Sequence, residues 1–267
     1  MAKTPLAGAP ERDLAEQNEV FERSTPQQIL AWTVETFAPD AVLTCSFQHE
    51  GVVLAHMLRS LAPATPIFFI DTGYHFPETL AYRDELIERF GFPVRNLSSV
   101  MPREEFVAKY GDDLYSRDPD LCCKINKVEP LRLALVGVRA WINGRRRDQA
   151  LTRRRMPIAE QLQGGLIKVN PLAAWTSRDT FRYLSEHDIP THPLFEQGYT
   201  SIGCAPCTRP VLAGDDERSG RWAGFNKTEC GLHTVLGMDG GDEESPANAG
   251  SAAPAPAALE GDGKVVA

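Results

Sequence analysis

The sequence predicts an α/β fold, with a mostly parallel sheet and helices on both of its faces. Short apolar segments typical of buried strands alternate three times with helical segments in the first hundred residues. Such alternation is typical of parallel sheets built from strand–helix–strand units. The chain has 267 residues, of which 42% are hydrophobic and 24% charged, and this composition is sufficient to bury the core of such a sheet.

The individual elements follow from local signals. Thr25-Pro26-Gln27-Gln28 has the residues of a capping box with proline in the first turn, and predicts a helix to about Phe37. Apolar runs predict buried strands, and amphipathic runs predict helices. The predicted strands are 41–47, 66–71, 93–98, 138–143 and 166–172. The predicted helices are 52–61, 77–90 with a stop at Gly91, much of 102–136, and a last one from Thr176 or Ser177 to about His187.

Composition divides the chain into four segments. Residues 1–23 are polar and are expected to be loosely ordered. Residues 24–200 form the α/β domain, and residues 201–237, with three of the six cysteines, are expected to complete its site. Residues 238–267 are rich in Ala, Pro and Gly and carry six acidic residues and one lysine, which predicts a disordered acidic tail.

Charge and hydropathy exclude several classes of function. Most of the formal charge of −8 lies in the tail, whereas six arginines lie between Arg145 and Arg155. A nearly balanced body with one arginine-rich stretch favours a small anionic ligand over nucleic acid. The sequence has no run of about 18 apolar residues and no apolar signal segment, so we expect neither a membrane span nor secretion. Clustered cysteines then favour metal or redox chemistry in a reducing cytoplasm.

Three turns follow predicted strands, which is where ligands bind in open parallel sheets: 46–51, 71–73 and 144–148. Taken alone, the first two are better explained as ordinary turns, because the first lacks a Walker signature and has little glycine, and turns like the second are common. The arginines after Gly144 are stronger evidence, because guanidinium groups bind phosphate and sulfate oxygens in pairs. A solvated basic face is the alternative interpretation of this stretch.

The cysteines suggest a division of roles. Cys204 and Cys207 form a Cys-x-x-Cys pair, and Cys122 and Cys123 are adjacent. Four thiolates suit zinc or an iron–sulfur cluster equally by ligand type, and a redox dithiol is the alternative for the first pair. Cys230, in a polar stretch, is then the candidate reactive thiol, unless it is an incidental exposed cysteine. Cys45 lies within an apolar strand and is expected to be an inert core residue.

Several separated motifs occur together and in order. They are Asp71-Thr-Gly-x-x-Phe-Pro-Glu-Thr79, Cys122-Cys123-x-x-x-Lys127, Trp141-x-x-Gly144-x-Arg-Arg-Asp-Gln149, Cys204-x-x-Cys207, Gly220-Arg-Trp222 and Glu229-Cys-Gly-Leu-His233. This combination resembles the assimilatory adenylyl-sulfate (APS) reductases, within the wider phosphoadenylyl-sulfate (PAPS) reductase family. The resemblance covers roughly residues 25–235.

The resemblance implies an adenine nucleotide alpha-hydrolase-like fold, in which residues 24–200 bind the nucleotide. It implies reduction of adenylyl sulfate to sulfite and AMP, in sulfate assimilation for cysteine biosynthesis, with thioredoxin or glutaredoxin as reductant. Cys230 matches the family nucleophile, which carries a thiosulfonate. Cys122, Cys123, Cys204 and Cys207 match the ligands of a 4Fe–4S cluster. We also expect a homo-oligomer.

The resemblance assigns substrate contacts residue by residue. Ser46 lies in the phosphate loop, the backbone near Ile70 meets adenine, and Gly144 approaches the ribose. The remaining implied contacts are Lys127 between cluster and substrate, Arg218 and Arg221 at the phosphosulfate, Arg146 and Arg147, Arg153 or Arg154, and His233.

Three other functions remain open at this point. The first is reduction of the 3′-phosphorylated nucleotide, which a free basic group near the ribose would favour. The second is an ATP-dependent thiolation enzyme of the same fold. The third, from a different class, is a zinc-stabilised binding module without nucleotide affinity.

Overall fold

A six-stranded sheet forms the centre of the computed structural model, which describes residues 11–212, 216–222, 224–225, 227 and 229–232. The strand order is β3-β2-β1-β4-β6-β5, and only β5 runs antiparallel to its neighbour. The strands are β1 (Ala41–Thr44), β2 (Ile67–Asp71), β3 (Val94–Ser98), β4 (Ala140–Asn143), β5 (Ala159–Gln161) and β6 (Ile167–Val169). The mostly parallel sheet predicted from the sequence is therefore confirmed.

Helices connect these strands. They are α1 (Glu11–Phe21), α2 (Pro26–Phe37), α3 (His49–Leu61), α4 (Pro77–Phe90), α5 (Arg103–Tyr110), α6 (Leu114–Arg117), α7 (Pro119–Cys123), α8 (Glu129–Ala134) and α9 (Ser177–Glu186). A π-helical turn, Lys124–Val128, joins α7 to α8. None of the helices in the described part of the chain combines the length and apolar character needed to cross a bilayer.

The core lies on both faces of the sheet, because successive side chains of a strand point to opposite faces. Leu43 and Ile142 pack with α3, α4 and α9 on one face. Val42 and Trp141, their immediate neighbours in β1 and β4, pack with residues of α8 on the other. These buried positions hold the central strands, and so hold the loops that follow them, in a defined arrangement.

The strongest local signals predict their elements well. The helix at Pro26–Phe37 begins with the full capping box between Thr25 and Gln28. The helix at Pro77–Phe90 ends at Gly91, which adopts a left-handed φ of 68° that glycine tolerates without strain. Thr176 caps the helix Ser177–Glu186 in the same way as Thr25.

Other boundaries differ from prediction. The strand predicted at 41–47 ends at Thr44, since Phe47 adopts a left-handed φ of 57° in the turn, and α3 already begins at His49. The other strands are also shorter than predicted. Strand β5 was not predicted, because three residues are too few to show an alternating pattern.

The prediction that residues 1–23 are loosely ordered is wrong for Glu11–Phe21, which form α1. Leu14 and Phe21 lie two helical turns apart and are both buried, and the side chain of Asn18 bonds the backbone of Ala159 in β5. Two apolar residues in a polar segment are thus sufficient to dock a helix on an existing core. The predicted disorder of the tail, 238–267, concerns residues outside the described part of the chain.

Candidate active site

A cavity of about 320 Å³ opens beyond the carboxyl ends of the central strands. Thr44 and Asn143, the last residues of β1 and β4, lie on its wall together with Ile70 of β2. The wall also includes residues 199–203 and, from the C-terminal segment, Glu217, Arg218, Arg221, Trp222, Glu229, Cys230 and Leu232. The cavity is therefore at the position where the parallel sheet predicts a ligand.

Nine of the residues implicated by sequence line this cavity. They are Ser46, Ile70, Lys127, Gly144, Arg146, Arg153, Arg218, Arg221 and Cys230. Arg147 does not line it, contrary to expectation, and of the two alternatives Arg153 and Arg154 it is Arg153 that does. His233 lies outside the described residues, so its predicted contact is not located.

The turn after β1 brings the start of α3 to the cavity. Gln48 donates a hydrogen bond from its side chain to Ser46 Oγ (3.2 Å) and accepts one from the backbone of Ile202 (2.9 Å), which ties the C-terminal segment to this turn. Gly144 lies so close to α3 that a Cβ there would be 2.8 Å from Glu50 Cβ, which only glycine avoids. Glycine at this position therefore allows the end of β4 to pack directly against the start of α3.

Arg146 is fully engaged by acidic side chains. It is 1% exposed and bonds Glu50 (Nε–Oε1, 2.9 Å), Asp148 (Nη1–Oδ1, 2.7 Å) and Glu217 (Nη2–Oε2, 3.1 Å). Burial raises the pKa of Glu217, and the charge of Arg146 opposes that increase. Arg146 thus joins three segments that are distant in sequence, and we call this group the Arg146 cluster.

Arg147 and Arg154 point away from the cavity. Arg147 donates from Nε to the carbonyl of Met156 (2.8 Å) and from Nη1 to Glu22 Oε2 (2.9 Å), just beyond α1. Hydrogen bonding to Arg147 lowers the pKa of Glu22. Arg154 is exposed. Two 3-10 turns, Arg147–Gln149 and Leu151–Arg153, rotate successive arginines to different sides of the chain.

A second charged group lies next to the candidate nucleophile, and it contains Arg145, Arg153, Arg218 and Glu229. Glu229 accepts from Arg153 Nε (2.9 Å) and Nη2 (2.7 Å) with one oxygen, and from Arg218 Nη2 (3.1 Å) with the other. Burial opposes ionisation of Glu229, but Arg218 and Arg153 outweigh it and lower the pKa. Burial, with the charge of Arg153, lowers the pKa of Arg218 to about 10. We call this the Arg153 cluster.

Arg145 and Glu229 were missed as site residues from sequence. Arg145 lines the cavity, its Nε is buried without a hydrogen-bond partner among the described residues, and burial lowers its pKa to about 10. Its only signal in sequence was its place between Gly144 and Arg146, inside the arginine-rich stretch. Glu229 stood in the motif that contains Cys230, but nothing local to it indicated its distant arginine partner.

Cys230 lies on the cavity wall, directly after Glu229, and is partly exposed. Lys127 also lines this cavity, and it lines a second, smaller cavity with the other motif cysteines. Burial lowers the pKa of Lys127, but the sulfur groups of Cys204, Cys123 and Cys230 outweigh burial, so the net shift is upward. Lys127 therefore lies between Cys230 and the other four motif cysteines, and it carries a positive charge there.

The second cavity gathers Cys122, Cys123, Cys204 and Cys207. Burial and the neighbouring Cys123 raise the pKa of Cys122 to about 12, and burial raises that of Cys207 to about 11. Burial also opposes ionisation of Cys204, but Lys127 and the Thr72 hydroxyl, 3.3 Å from its Sγ, lower its pKa overall. Within the described residues, no three His, Cys, Asp or Glu side chains are close enough to hold a single metal ion.

One further interpretation from sequence is confirmed. Cys45 is buried, and burial raises the pKa of its thiol to about 12, so it is an inert core residue. Trp222 packs rather than reacts, since it is 3% exposed and lies beneath the Arg221 guanidinium, 4.6 Å from its ring centre. His49 is buried between Phe181 and Phe195, and this burial lowers its pKa.

Comparisons with known proteins agree with this geometry. The family model of the phosphoadenosine phosphosulfate reductase domain matches residues 40–210. The adenosine 5′-phosphosulfate reductase of Streptomyces coelicolor is 45% identical over 80% of this chain and 90% of its own length. The phosphoadenosine 5′-phosphosulfate reductase of Gloeobacter violaceus is 43% identical over 86% of this chain and 97% of its own length.

Solved structures extend the comparison to the fold. A phosphoadenylyl-sulfate reductase from Candida auris, crystallised with phosphate, superposes with a TM-score of 0.68 at 31% identity, over 77% of this chain and 99% of that one. An FMN adenylyltransferase from Candida glabrata, at 18% identity and a TM-score of 0.53 over 77% of this chain and 70% of its own, shows the adenine nucleotide alpha-hydrolase-like fold alone. The match to the reductase domain and the identities over most of each chain place this protein in the phosphoadenosine phosphosulfate reductase family.

Proposed function

We propose that this protein reduces adenylyl sulfate to sulfite and AMP, with thioredoxin or glutaredoxin as the reductant. The observation that carries the proposal is that Cys230 and a group of arginines line the same cavity at the carboxyl ends of the strands. The names of the bacterial relatives, most of them adenosine 5′-phosphosulfate reductases, support this substrate. The reductants are kept in the dithiol form in the cytoplasm, where we place the reaction.

The cavity suggests how the substrate binds. The adenine lies by the backbone near Ile70 and the ribose by Gly144, both of which line the cavity. The phosphosulfate then faces Arg153, Arg218 and Arg221, because guanidinium groups match the oxygens of phosphate and sulfate. Ser46 and the first residues of α3 supply further hydrogen-bond donors for the phosphate.

In the first chemical step the Cys230 thiolate attacks the sulfur of the phosphosulfate. A sulfur–sulfur bond forms, and the bond from sulfur to the bridging oxygen breaks, with its electron pair leaving on AMP. Lys127 and the arginines stabilise the charge that develops on the AMP phosphate. The product on the protein is a thiosulfonate at Cys230.

In the second step a thiolate of the reductant attacks Cys230 Sγ. The sulfur–sulfur bond breaks, and sulfite leaves with its electron pair. The second thiol of the reductant then closes a disulfide and returns Cys230 as a thiolate. The reductant is oxidised by two electrons, which are the two that convert the sulfonate group into sulfite.

The four remaining motif cysteines fit a 4Fe–4S cluster by donor type, and they line one cavity. The match of all four cysteines to the family's cluster ligands favours a cluster over zinc. Cys122, Cys123, Cys204 and Cys207 would hold it. When bound, such a cluster shapes the field around Lys127 rather than carrying electrons, since the reductant supplies both.

Iron and sulfide analysis with an anaerobic absorption spectrum tests the cluster. We expect about four iron and four sulfide per chain. Cys204→Ser should lose both, because the cluster would lack one of its four ligands and binding is coupled to folding of the site. Cys230→Ser is the matched control and should keep its iron. A colourless wild-type protein carrying zinc, with no affinity for nucleotides, would instead support the binding module.

Mass spectrometry tests the nucleophile. Wild-type protein given adenylyl sulfate without reductant should gain one sulfonate on Cys230 and release one equivalent of AMP, and thioredoxin should then discharge it. Cys230→Ser should bind AMP normally and form no adduct. An adduct on another cysteine, or AMP release only in the presence of reductant, contradicts the assignment.

Reduction of the 3′-phosphorylated nucleotide is the second candidate, because the Gloeobacter and Candida auris relatives carry that name. Comparing turnover of the two nucleotides decides between them. Adenylation of a nucleic acid by ATP would reveal the thiolation enzyme. The homo-oligomer stays a prediction, which sedimentation of the full chain checks.

A further inference from the structure

The Glu229 carboxylate sits between two arginines of the cavity, where an anionic ligand would bind. One of its oxygens accepts two hydrogen bonds from Arg153, and the other accepts one from Arg218. All three side chains are largely enclosed, with 15% of Glu229, 6% of Arg153 and 16% of Arg218 exposed. These are short, shielded, charge-assisted contacts, and they are stronger than ion pairs on the surface.

A carboxylate and a sulfate or phosphate oxyanion present the same acceptors to a guanidinium fork. An oxyanion that approaches Arg153 and Arg218 therefore meets donors that are already engaged. Arg145, whose Nε is buried without a partner among the described residues, lies in the same group. It offers an initial contact for the incoming anion while Glu229 still holds the other two arginines.

Glu229 is bonded covalently to the residue that performs the chemistry, because Cys230 follows it directly. Because the two residues share a peptide bond, a backbone movement that withdraws the carboxylate from Arg153 and Arg218 also moves Cys230. Gly231, at a left-handed φ of 84°, comes next and accommodates a conformation that other residues resist. The position of the thiol is therefore linked to what occupies the two arginines.

We propose that Glu229 is an internal counter-anion, which the phosphosulfate of the substrate displaces from Arg153 and Arg218, and that this exchange repositions Cys230 for attack. The inference rests on the proposed function for the identity of the anion. Glu229 is in this sense a positioning residue. It occupies the hydrogen-bond donors of both arginines in the free protein, and it links substrate entry to movement of the nucleophile.

Affinity for small oxyanions tests the exchange. If Glu229 competes with the anion for the arginines, removing its charge should strengthen anion binding, whereas a purely structural role predicts no gain in affinity. Glu229→Gln keeps the shape and one carbonyl acceptor but removes the charge. We expect it to bind inorganic sulfate and AMP about tenfold more tightly than wild type by calorimetry, since a neutral acceptor holds an arginine less strongly than a charged one. Loss of a structural contact would weaken binding or leave it unchanged.

Glu22→Gln is the matched control. It removes the same charge from another glutamate–arginine pair, with Arg147, outside the cavity. Its affinity for sulfate should equal that of wild type, which excludes a general effect of net charge. Glu229→Asp is the second variant, in case Glu229→Gln folds poorly. Its carboxylate is one methylene shorter and cannot reach both arginines, so it should also bind sulfate more tightly.

Hydrogen exchange of the amides at residues 229–232 measures the link to Cys230. In wild type, saturating sulfate should accelerate their exchange, and in Glu229→Gln exchange should be fast already and insensitive to sulfate. Unchanged or weaker sulfate binding in both Glu229 variants overturns the inference, even if the wild type turns over adenylyl sulfate. If the Glu229 variants bind sulfate more tightly but the wild type does not turn over adenylyl sulfate, the role of Glu229 as a counter-anion stands and the proposed function is refuted.

Discussion

The cavity contains two arginine clusters with opposite charge balance. In the Arg146 cluster one guanidinium contacts three carboxylates, those of Glu50, Asp148 and Glu217. In the Arg153 cluster the single carboxylate of Glu229 accepts hydrogen bonds from Arg153 and Arg218. A third guanidinium group, that of Arg145, lies nearby. The first group has an excess of negative charge and its arginine is fully bonded. The second has an excess of positive charge, and among the described residues the buried Nε of Arg145 has no hydrogen-bond partner.

This difference separates a structural role from a binding role. Arg146 joins α3, the turn after β4 and the C-terminal segment, so its bonds hold the cavity together. A cluster with uncompensated cations has a binding free energy available for an anion, whereas a cluster saturated with carboxylates repels one. The sequence placed Arg146, and either Arg153 or Arg154, at the substrate, and the partners of Arg146 and Arg153 are what distinguish the two.

The largest expected effect is on stability, from Arg146→Met. This change leaves three carboxylates without their common partner, and removing one member of a buried ion pair costs about 3–5 kcal/mol. We expect the lower end, since Asp148 and Glu217 have 38% and 35% of their side chains exposed. The melting temperature of the complete protein should fall by about 6–12 °C. Arg154→Met is the control, and equal melting of both variants would remove the distinction between the clusters.

Arg145→Gln should change affinity rather than stability. If the Arg153 cluster binds the anion, loss of this guanidinium costs about 1.5 kcal/mol, or roughly tenfold in the Kd for AMP and adenylyl sulfate. Arg154→Gln, in the same stretch but outside the cavity, should bind like wild type. Calorimetry measures both. Equal affinities would show that the unpartnered Nε of Arg145 faces no ligand.

The smallest expected effect comes from Arg147→Gln. Its partner Glu22 is 46% exposed, and partly exposed ion pairs of this kind contribute at most about 1 kcal/mol. We expect a fall in melting temperature of no more than about 4 °C and no change in the affinity for AMP. A tenfold loss of affinity would show that Arg147 contacts the substrate, although it does not line the cavity.

Strong local signals accounted for much of the fold. Thr25 and Gln28 form their capping box from side chains three residues apart, so the surrounding fold has little influence on it. The same holds for the helix that Pro77 begins and Gly91 ends. Helix α1 was missed because it docks through a contact between distant residues: Asn18 of α1 bonds the backbone of Ala159 in β5, 141 residues away. No local pattern contains such a contact.

The sequence by itself determined the alternation of strands and helices and the density of arginines after Gly144. It also distinguished a group of four cysteines, Cys122, Cys123, Cys204 and Cys207, from Cys230. These depend on residue types and short spacings, which act within a few turns of the chain. Only the tertiary structure decided which arginines face the cavity. Their carboxylate partners, Glu50, Glu217 and Glu229, come from distant segments, and an arginine is available to a ligand only where folding leaves it short of negative charge.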